Sequence, residues 1–591
     1  MGEWRMKKRI IAGLLAAVMM LGALSGCGAS GSTNSTQGNG TEGNGSQAVG
    51  DSDEASTVIE TEAMEPEVTA LSLMEQYNTA SQNVTDDNYR TYYEVFVYSF
   101  YDSDGDGIGD LQGLIEKLDY INDGDPTTTD DLGCNGIWMM PIMPSPSYHK
   151  YDVIDYYEID PQYGTIEDFK ELVAECDKRG IRVMIDLVMN HSSSEHEWFN
   201  TAYDYMKNLP AGAEPDLEEC PYVDYYFFSK DQKSGYAPVT GSEWYYEGQF
   251  WSGMPDINLG NEAVRAEFEK VVDYWLELGV TGFRLDAAKE FYSNESEKNI
   301  EVLTWFNDMV KSKNEDVFIV AEVWTDMNTY ANYHKSGVSC FNFDFGNNSG
   351  FITQVVNKAG IATAKTYANR VISAQEAFAA KNPDYIDAPF YTNHDTGRSA
   401  GFYATDDSES KVKMAQALNL LMSGSAFLYY GEELGMKGAG RDENKRAPMY
   451  WTTDANAVGM CDGPADMEAF EMKYESFAEQ NADGNSIYNF VKQTILLRNQ
   501  YNALSHGVAE KEEALMSENV CALKKTYGEE EVLLVFNIAN KSSVIDLSAV
   551  TSMAKSGAEL EIGGALLSSA EDIQINGTEI TLPPYTVVVF K

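Results

Sequence analysis

From Tyr92 onward the chain alternates between two hydrophobic rhythms. Short runs of apolar, β-branched and aromatic residues fall at 93–100, 136–140, 181–188, 280–286, 317–323, 340–345, 389–393 and 426–430, with the length and composition of buried strands. Between them apolar residues recur at helical spacing. In 165–180, Thr165 and Asp168 form a capping box, Ile166, Phe169, Leu172, Val173 and Cys176 share one face, and Gly180 ends the helix. In 261–279, Val264, Phe268, Val271, Val272 and Trp275 make the same kind of face. Eight strands alternating with helices predict an α/β fold, a (β/α)8 TIM barrel whose site lies at the C-terminal strand ends. A doubly wound open sheet is the other architecture of this pattern, but no Gly-rich phosphate loop follows the first run.

Two segments break the rhythm. Residues 191–256, with Y-V-D-Y-Y-F-F and E-W-Y-Y-E-G-Q-F-W, are too long for an ordinary loop and predict a B subdomain inserted after strand 3. Most of its aromatics are expected to form its own core and a few to line a cleft. After Leu504 the helical rhythm stops, and short strand runs with Asn576-Gly577 and Pro583-Pro584 turns predict a C-terminal all-β sandwich over 505–591. The barrel itself is assigned to 89–190 and 257–504.

The first 27 residues have another character. Arg5, Lys7, Lys8 and Arg9 precede an apolar run from Ile10 to Leu24, the layout of a secretory signal that is too short for a membrane span. The run ends in Leu24-Ser25-Gly26-Cys27, which resembles the lipobox of bacterial lipoproteins and implies cleavage before Cys27 and lipid on its sulfur. Residues 28–88, Ser/Gly/Asn/Thr-rich and then acidic, are expected to be a disordered tether to the membrane. A formal charge of −51 over 591 residues argues against nucleic acid and suits a neutral substrate. The other six cysteines lack metal-ligand spacing, and a monomer is expected.

The predicted strand ends carry the chemistry. The third delivers Asp186, Asn190 and His191, the fourth Arg284 and Asp286, the fifth Glu322, the seventh His394 and Asp395. An isolated R-x-D would be read as a structural ion pair, but here Asp286, Glu322 and Asp395 converge with two imidazoles on one barrel mouth. A metal centre is the competing reading, yet no H-x-x-x-H or H-x-H pair occurs among them. Hydrolysis of a glycosidic bond needs one ionised and one protonated carboxyl. Arg284 should keep Asp286 ionised as nucleophile, while burial should raise Glu322 so that it holds a proton for the leaving oxygen. Adjacent strands suggest a separation near ~5.5 Å, the retaining geometry.

These residues lie in a series of motifs, in order G-I-W-M-M-P-I, D-L-V-M-N-H, M-P-D-I-N, G-F-R-L-D-A-A-K, A-E-V-W, T-N-H-D and Y-Y-G-E-E-L-G-M. Seven in this order resemble the α-amylase family of glycoside hydrolases (family 13), and with Cys27 they resemble bacterial lipoprotein α-amylases. The resemblance makes Asp286 the nucleophile, Glu322 the acid/base and Asp395 the transition-state stabiliser. By the same resemblance His149, Tyr151, His191, Arg284 and His394 match sugar-binding positions, Asp442 and Arg446 the pair gripping the non-reducing side, and Lys289 a leaving-group contact.

The chain departs from many α-amylases where Lys289-Glu290 replaces K-H. The missing histidine's carbonyl binds calcium there together with the asparagine that Asn190 matches, so Asn190 is retained as a calcium candidate. The loop D-S-D-G-D-G-I-G-D resembles one that binds Ca²⁺ through Asp102, Asp104, Asp106, the Ile108 carbonyl and Asp110. The expected protein is thus an exported, lipid-anchored α-amylase at the bacterial cell surface, cutting α-1,4 bonds of starch and maltooligosaccharides, with structural Ca²⁺ and no organic cofactor. The alternatives are a neopullulanase-like, cyclomaltodextrinase-like, maltogenic or transglycosylating enzyme on short maltodextrins and a non-catalytic glucan-binding protein, the latter disfavoured by the three carboxylates.

Overall fold

The computed structural model describes residues 67–591 apart from Ala359; the expected signal, Cys27 and most of the expected tether lie outside the described residues. Barrel strands β1 Thr91–Val95, β2 Gly136–Met139 and β3 Arg182–Leu187 come first. Three short strands of the insertion follow, β4 Phe228–Ser229, β5 Tyr236–Pro238 and β6 Tyr245–Glu247. The barrel then resumes with β7 Gly282–Leu285, β8 Phe318–Ala321, β9 Ser339–Cys340 and β10 Ala426–Tyr429. Seven strands pair in parallel in the order β10-β1-β2-β3-β7-β8-β9. The ring closes through single parallel bridges, Phe341 to Ala388 and Phe390 to Phe427.

The expected barrel is therefore present, with three departures in its strands. The first ends at Val95 and passes into a 3₁₀ turn, Val97–Ser99, instead of running to Phe100. The sixth is two residues long, and the seventh, expected over 389–393, is reduced to the bridging residues. At this part of the ring the backbone is spent on turns: Asn393 Oδ1 accepts from the backbone N–H groups of Asp395 and Thr396 at 3.1 Å each. Both expected helices form, Ile166–Lys178 behind the Thr165–Asp168 capping box and Glu262–Glu277 behind an Asn261 cap. Their predicted apolar residues Phe169, Leu172, Cys176, Val264, Phe268 and Trp275 are buried.

The insertion carries a helix, Glu197–Asn208, and the antiparallel sheet β4-β6-β5. Its core is aromatic, with Phe199 at 5.1 Å from Tyr226 and 4.8 Å from Tyr246 between ring centres. The C-terminal region forms two antiparallel sheets. One joins β11 Val508–Lys511, β12 Val520–Tyr527, β13 Glu530–Asn537, β18 Thr586–Phe590 and β15 Ile562–Leu567; the other joins β14 Ser543–Asp546, β17 Glu579–Leu582 and β16 Gln574–Asn576. Gly577, at φ +64°, makes the expected turn between β16 and β17.

The tether expectation needs correction at its far end. Ala70–Tyr77 is a helix with a Thr69–Ser72 capping box, and Ala70, Leu73 and Met74 are buried. Asn78 just after it is buried too, donating to Gln493 Oε1 and accepting from the Ala565 backbone N–H, both at 2.8 Å. Apolar spacing i, i+3, i+4, i+7 across Ala70, Leu73, Met74 and Tyr77 supplies the docking face. Among the described residues all six cysteines are free and buried, and no helix is long and apolar enough to cross a membrane.

Candidate active site

Asp186 and Arg284 are register partners on β3 and β7, so their side chains enter the barrel together. Asp286 and Glu322 follow the last residues of β7 and β8. The fully buried guanidinium gathers all three carboxylates. Nη1 donates to both oxygens of Asp186 at 2.9 Å and to Asp286 Oδ1 at 2.6 Å, and Nη2 donates to Glu322 Oε2 at 2.9 Å. Ala287, next to Asp286, has φ +47°, a left-handed backbone costly for a residue with a Cβ. Its N–H donates to Glu322 Oε2 at 2.9 Å, which gives that strained turn a chemical use. Burial, reinforced by the charges of Asp286 and Asp395, outweighs Arg284 and pushes Glu322 up to about 6. Burial also lifts Asp186 to about 7 against the pull of Arg284.

A second cluster forms beside the first. Burial would lower His394, but Asp395 at 3.1 Å from Nε2 and Glu94 at 2.6 Å from Nδ1 carry it up to about 9. Burial would raise Asp395, yet His394 and then Arg446, at 3.1 Å from the other oxygen, hold it well below the usual carboxylate range. Tyr151 stacks on the His394 ring at 5.5 Å, and its hydroxyl lies 2.7 Å from Nε2 and 3.0 Å from Asp186 Oδ2. Lys150 makes the flanking residues face the cleft: at φ +64° it turns back into the core, its ammonium 2.7 Å from Asp160. Burial pushes His149 down to about 4, a neutral hydrogen-bonding ring at physiological pH.

Above both clusters opens a cleft of about 520 Å³. Its lining includes His149, Tyr151, His191, Asp286, Glu322 and Asp395, and Lys289, Asp442 and Arg446 border it as well. His191 Nε2 is buried without a protein partner. Two exposed aromatics border the same space: Phe250, 51% exposed, edge-on to His191, and Trp324, 44% exposed, stacked on Phe343. All eleven residues expected at the catalytic and sugar-binding positions are thus gathered at one mouth. Glu94 was not anticipated. Its signal is a charge inside β1, where all five residues are buried.

The calcium candidates separate. Ligand atoms of Asp102, Asp104 and Asp106 lie within 4.8 Å of one another. Asp110 instead caps the helix Leu111–Glu116, accepting from Gly113 N–H at 2.7 Å and from the Ser103 hydroxyl at 2.8 Å. The Ile108 N–H donates to Asp106 Oδ1 at 2.8 Å. Asn190 lies elsewhere, with Nδ2 on Asp256 at 3.0 Å and a buried Oδ1 lacking a partner.

A (β/α)8 barrel that presents a raised carboxyl and a second carboxyl on one guanidinium beneath a cleft lined by aromatic, charged and imidazole side chains is the framework of a glycoside hydrolase. The family model for the alpha amylase catalytic domain matches residues 94–507, and the chain belongs to that family, family 13, whose enzymes act on α-glucans. It is 35% identical over 506 residues to alpha-amylase 3 of Dictyoglomus thermophilum, covering 85% of this chain and 92% of that one. Among solved structures, Eubacterium rectale Amy13B is 51% identical with a TM-score of 0.84, covering 88% of this chain and 98% of its own. The alpha-amylase from H. orenii is 35% identical with a TM-score of 0.73, covering 86% and 99%.

Proposed function

We propose that the protein is an exported, lipid-anchored α-amylase that cuts internal α-1,4 bonds of starch and maltooligosaccharides with retention. The observation that carries the reading is one guanidinium holding Asp286 and Glu322 at once, with Glu322 raised to about 6 by burial. Retention calls for carboxyls ~5–5.5 Å apart. Two carboxylates on neighbouring nitrogens of one guanidinium suit that short separation.

In the first step Asp286 attacks the anomeric carbon and Glu322 gives its proton to the departing oxygen, leaving a glycosyl ester on Asp286. Asp286's charge is one of the forces raising Glu322. Ester formation removes that charge, so Glu322 becomes the stronger acid it must be to stay ionised and act as base. Water then loses a proton to Glu322, attacks the ester and frees Asp286. Asp395, ionised between His394 and Arg446, stabilises positive charge on the ring in both steps.

Export and anchoring rest on the L-S-G-C ending at Cys27. A structural Ca²⁺ suits Asp102, Asp104 and Asp106, whose three like charges converge as an oxygen cage for a hard cation. With the Ile108 carbonyl they would brace the loop after β1. Calorimetric titration of the chelated protein should show Ca²⁺ binding that Asp104→Ala removes; equal binding by both proteins would refute this cage.

Product analysis tests the function. A maltoheptaose blocked at its non-reducing end should be cut internally, and starch viscosity should fall before much reducing sugar appears. Processing of only unblocked short or cyclic chains would replace this reading by the maltodextrin-hydrolase one.

A further inference from the structure

Glu290 stands beside the cleft without touching the reacting carboxyls, and its contacts lead away from the barrel. Its Oε1 lies 2.9 Å from Lys289 Nζ. Its Oε2 accepts from Gln249 Nε2 at 2.7 Å, and the Ser293 hydroxyl lies 3.0 Å from the same oxygen and 2.5 Å from Gln249 Oε1. Gln249 belongs to the insertion, and its backbone N–H donates to Asp256 Oδ2 at 2.8 Å. Asp256 Oδ1 accepts from Asn190 Nδ2 at 3.0 Å, which returns the chain of bonds to the end of β3. The next residue after Gln249 is Phe250, the exposed ring at the cleft edge. Burial would raise Glu290, but Lys289, Gln249 and Ser293 together hold it below the usual carboxylate range, so the carboxylate is charged whenever the enzyme works.

We infer that Glu290 is a positioning residue for the leaving-group side of the cleft: it fixes the Lys289 ammonium and, through Gln249, the Phe250 ring as a preformed wall for the glucosyl units that depart. The inference rests on the proposed glycosidase reading and on the family resemblance that makes Lys289 a leaving-group contact. Glu290 itself lines the cleft, but its contacts all run to protein groups, Lys289, Gln249 and Ser293, and it is through these that the carboxylate acts. Two long or exposed side chains that would otherwise search many rotamers meet the sugar already placed, which lowers the ordering cost of binding.

Two substrates separate this role from a general one. Maltotriosyl fluoride fills the cleft on the side that stays bound and leaves as fluoride, with no sugar against the proposed wall; maltoheptaose presses on it. Glu290→Ala should lower kcat/KM on maltoheptaose by roughly 10- to 100-fold and change the fluoride rate far less. Gln249→Ala should act in the same direction, and the double variant should lose less than the product of the two single losses, because both break one link. Glu290→Gln keeps an acceptor for Gln249 and should recover part of the loss. Equal losses on both substrates, no loss on either, or independent multiplying losses would each overturn the inference. Wild-type protein inert on both substrates would instead overturn the glycosidase reading.

Discussion

Two regions bury cations completely and satisfy them in opposite ways. Arg284 at the barrel mouth has only carboxylates and a phenol as hydrogen-bond acceptors, with Nε left unpaired. Arg498 and Lys525, at the junction of the barrel with the C-terminal sheets, have only backbone carbonyls. Arg498 Nη1 donates to Leu420 and Met422 at 2.7 Å each and Nη2 to Gly424; Lys525 Nζ, from β12, donates to Leu421 at 2.8 Å and Leu504 at 2.5 Å. Most of these carbonyls trail the helix Ser408–Leu420, whose C-terminal oxygens have no helical partner and carry the negative end of its dipole. The difference is one of titration. Carboxylates can take up and release a proton beside a substrate, so the mouth can change its charge during a reaction; carbonyls cannot, and at the junction only the basic groups titrate, burial pushing Lys525 far down and Arg498 down to about 9.

Breaking each region should therefore give a different kind of loss. Glu322→Gln keeps the shape and removes the proton: turnover of starch should fall by roughly 10²- to 10⁴-fold, with near-ultraviolet circular dichroism unchanged. Undiminished turnover would refute the assignment of the acid. Lys525→Met should do the reverse. Leaving two buried carbonyls without a donor costs about 3 kcal/mol, seen as a lower denaturation midpoint, while kcat at 25 °C stays as in wild type. A large drop in kcat with an unmoved midpoint would erase the contrast between the regions.

The contrast also explains what could be read in advance. The mouth was legible because its residues sit at fixed offsets from apolar strand runs: Asp286 one residue beyond β7, Glu322 one beyond β8. The junction was not, because Arg498 and Lys525 are joined to their partners only by tertiary packing of a helix on a sheet. Glu94 was hidden for a related reason: in Y-Y-E-V its neighbours read as strand, and its partner His394 is 300 residues away. The helix Ala70–Tyr77 was passed over as tether because one short amphipathic turn pair is too brief to be helical alone and is fixed by docking. The seventh strand was legible as an apolar run at 389–393, but its reduction to the bridges at 388 and 390 was not, because the turn that follows is set by the Asn393 side chain.

The raised Glu322 links the mouth to stability and gives a smaller effect. Its folded value of about 6 exceeds the unfolded 4.5, so its contribution to stability is complete below pH 4.5 and is lost as pH rises through 6. Replacing it by the neutral amide removes that dependence. Relative to wild type, Glu322→Gln should thus gain about 2 kcal/mol on going from pH 4 to pH 7.5, measured by urea midpoints at both pH values. An equal difference at the two would mean that Glu322 titrates normally and that Arg284 offsets its burial.

The mildest change tests whether the mouth's charges are set from a distance. Glu94 touches neither cleft nor substrate position; its Oε1 accepts from His394 Nδ1, and the far side of that ring meets Asp395. Glu94→Gln keeps an acceptor and removes the charge. With one of its two carboxylates gone, buried His394 should titrate below its present value of about 9, so that Asp395 loses its partner's charge at a lower pH than in wild type. Turnover at neutral pH should fall by less than about tenfold, because a drop of one pKa unit still leaves His394 mostly protonated there. Because His394 is raised above its ordinary 6.5, its stabilising contribution is full below that pH and fades as pH climbs through 9. The variant should flatten that slope. An NMR titration of the His394 ring with urea midpoints at pH 6 and 9 reads both, and a His394 pKa unmoved by Glu94→Gln would show that Asp395 alone sets the charge on the ring.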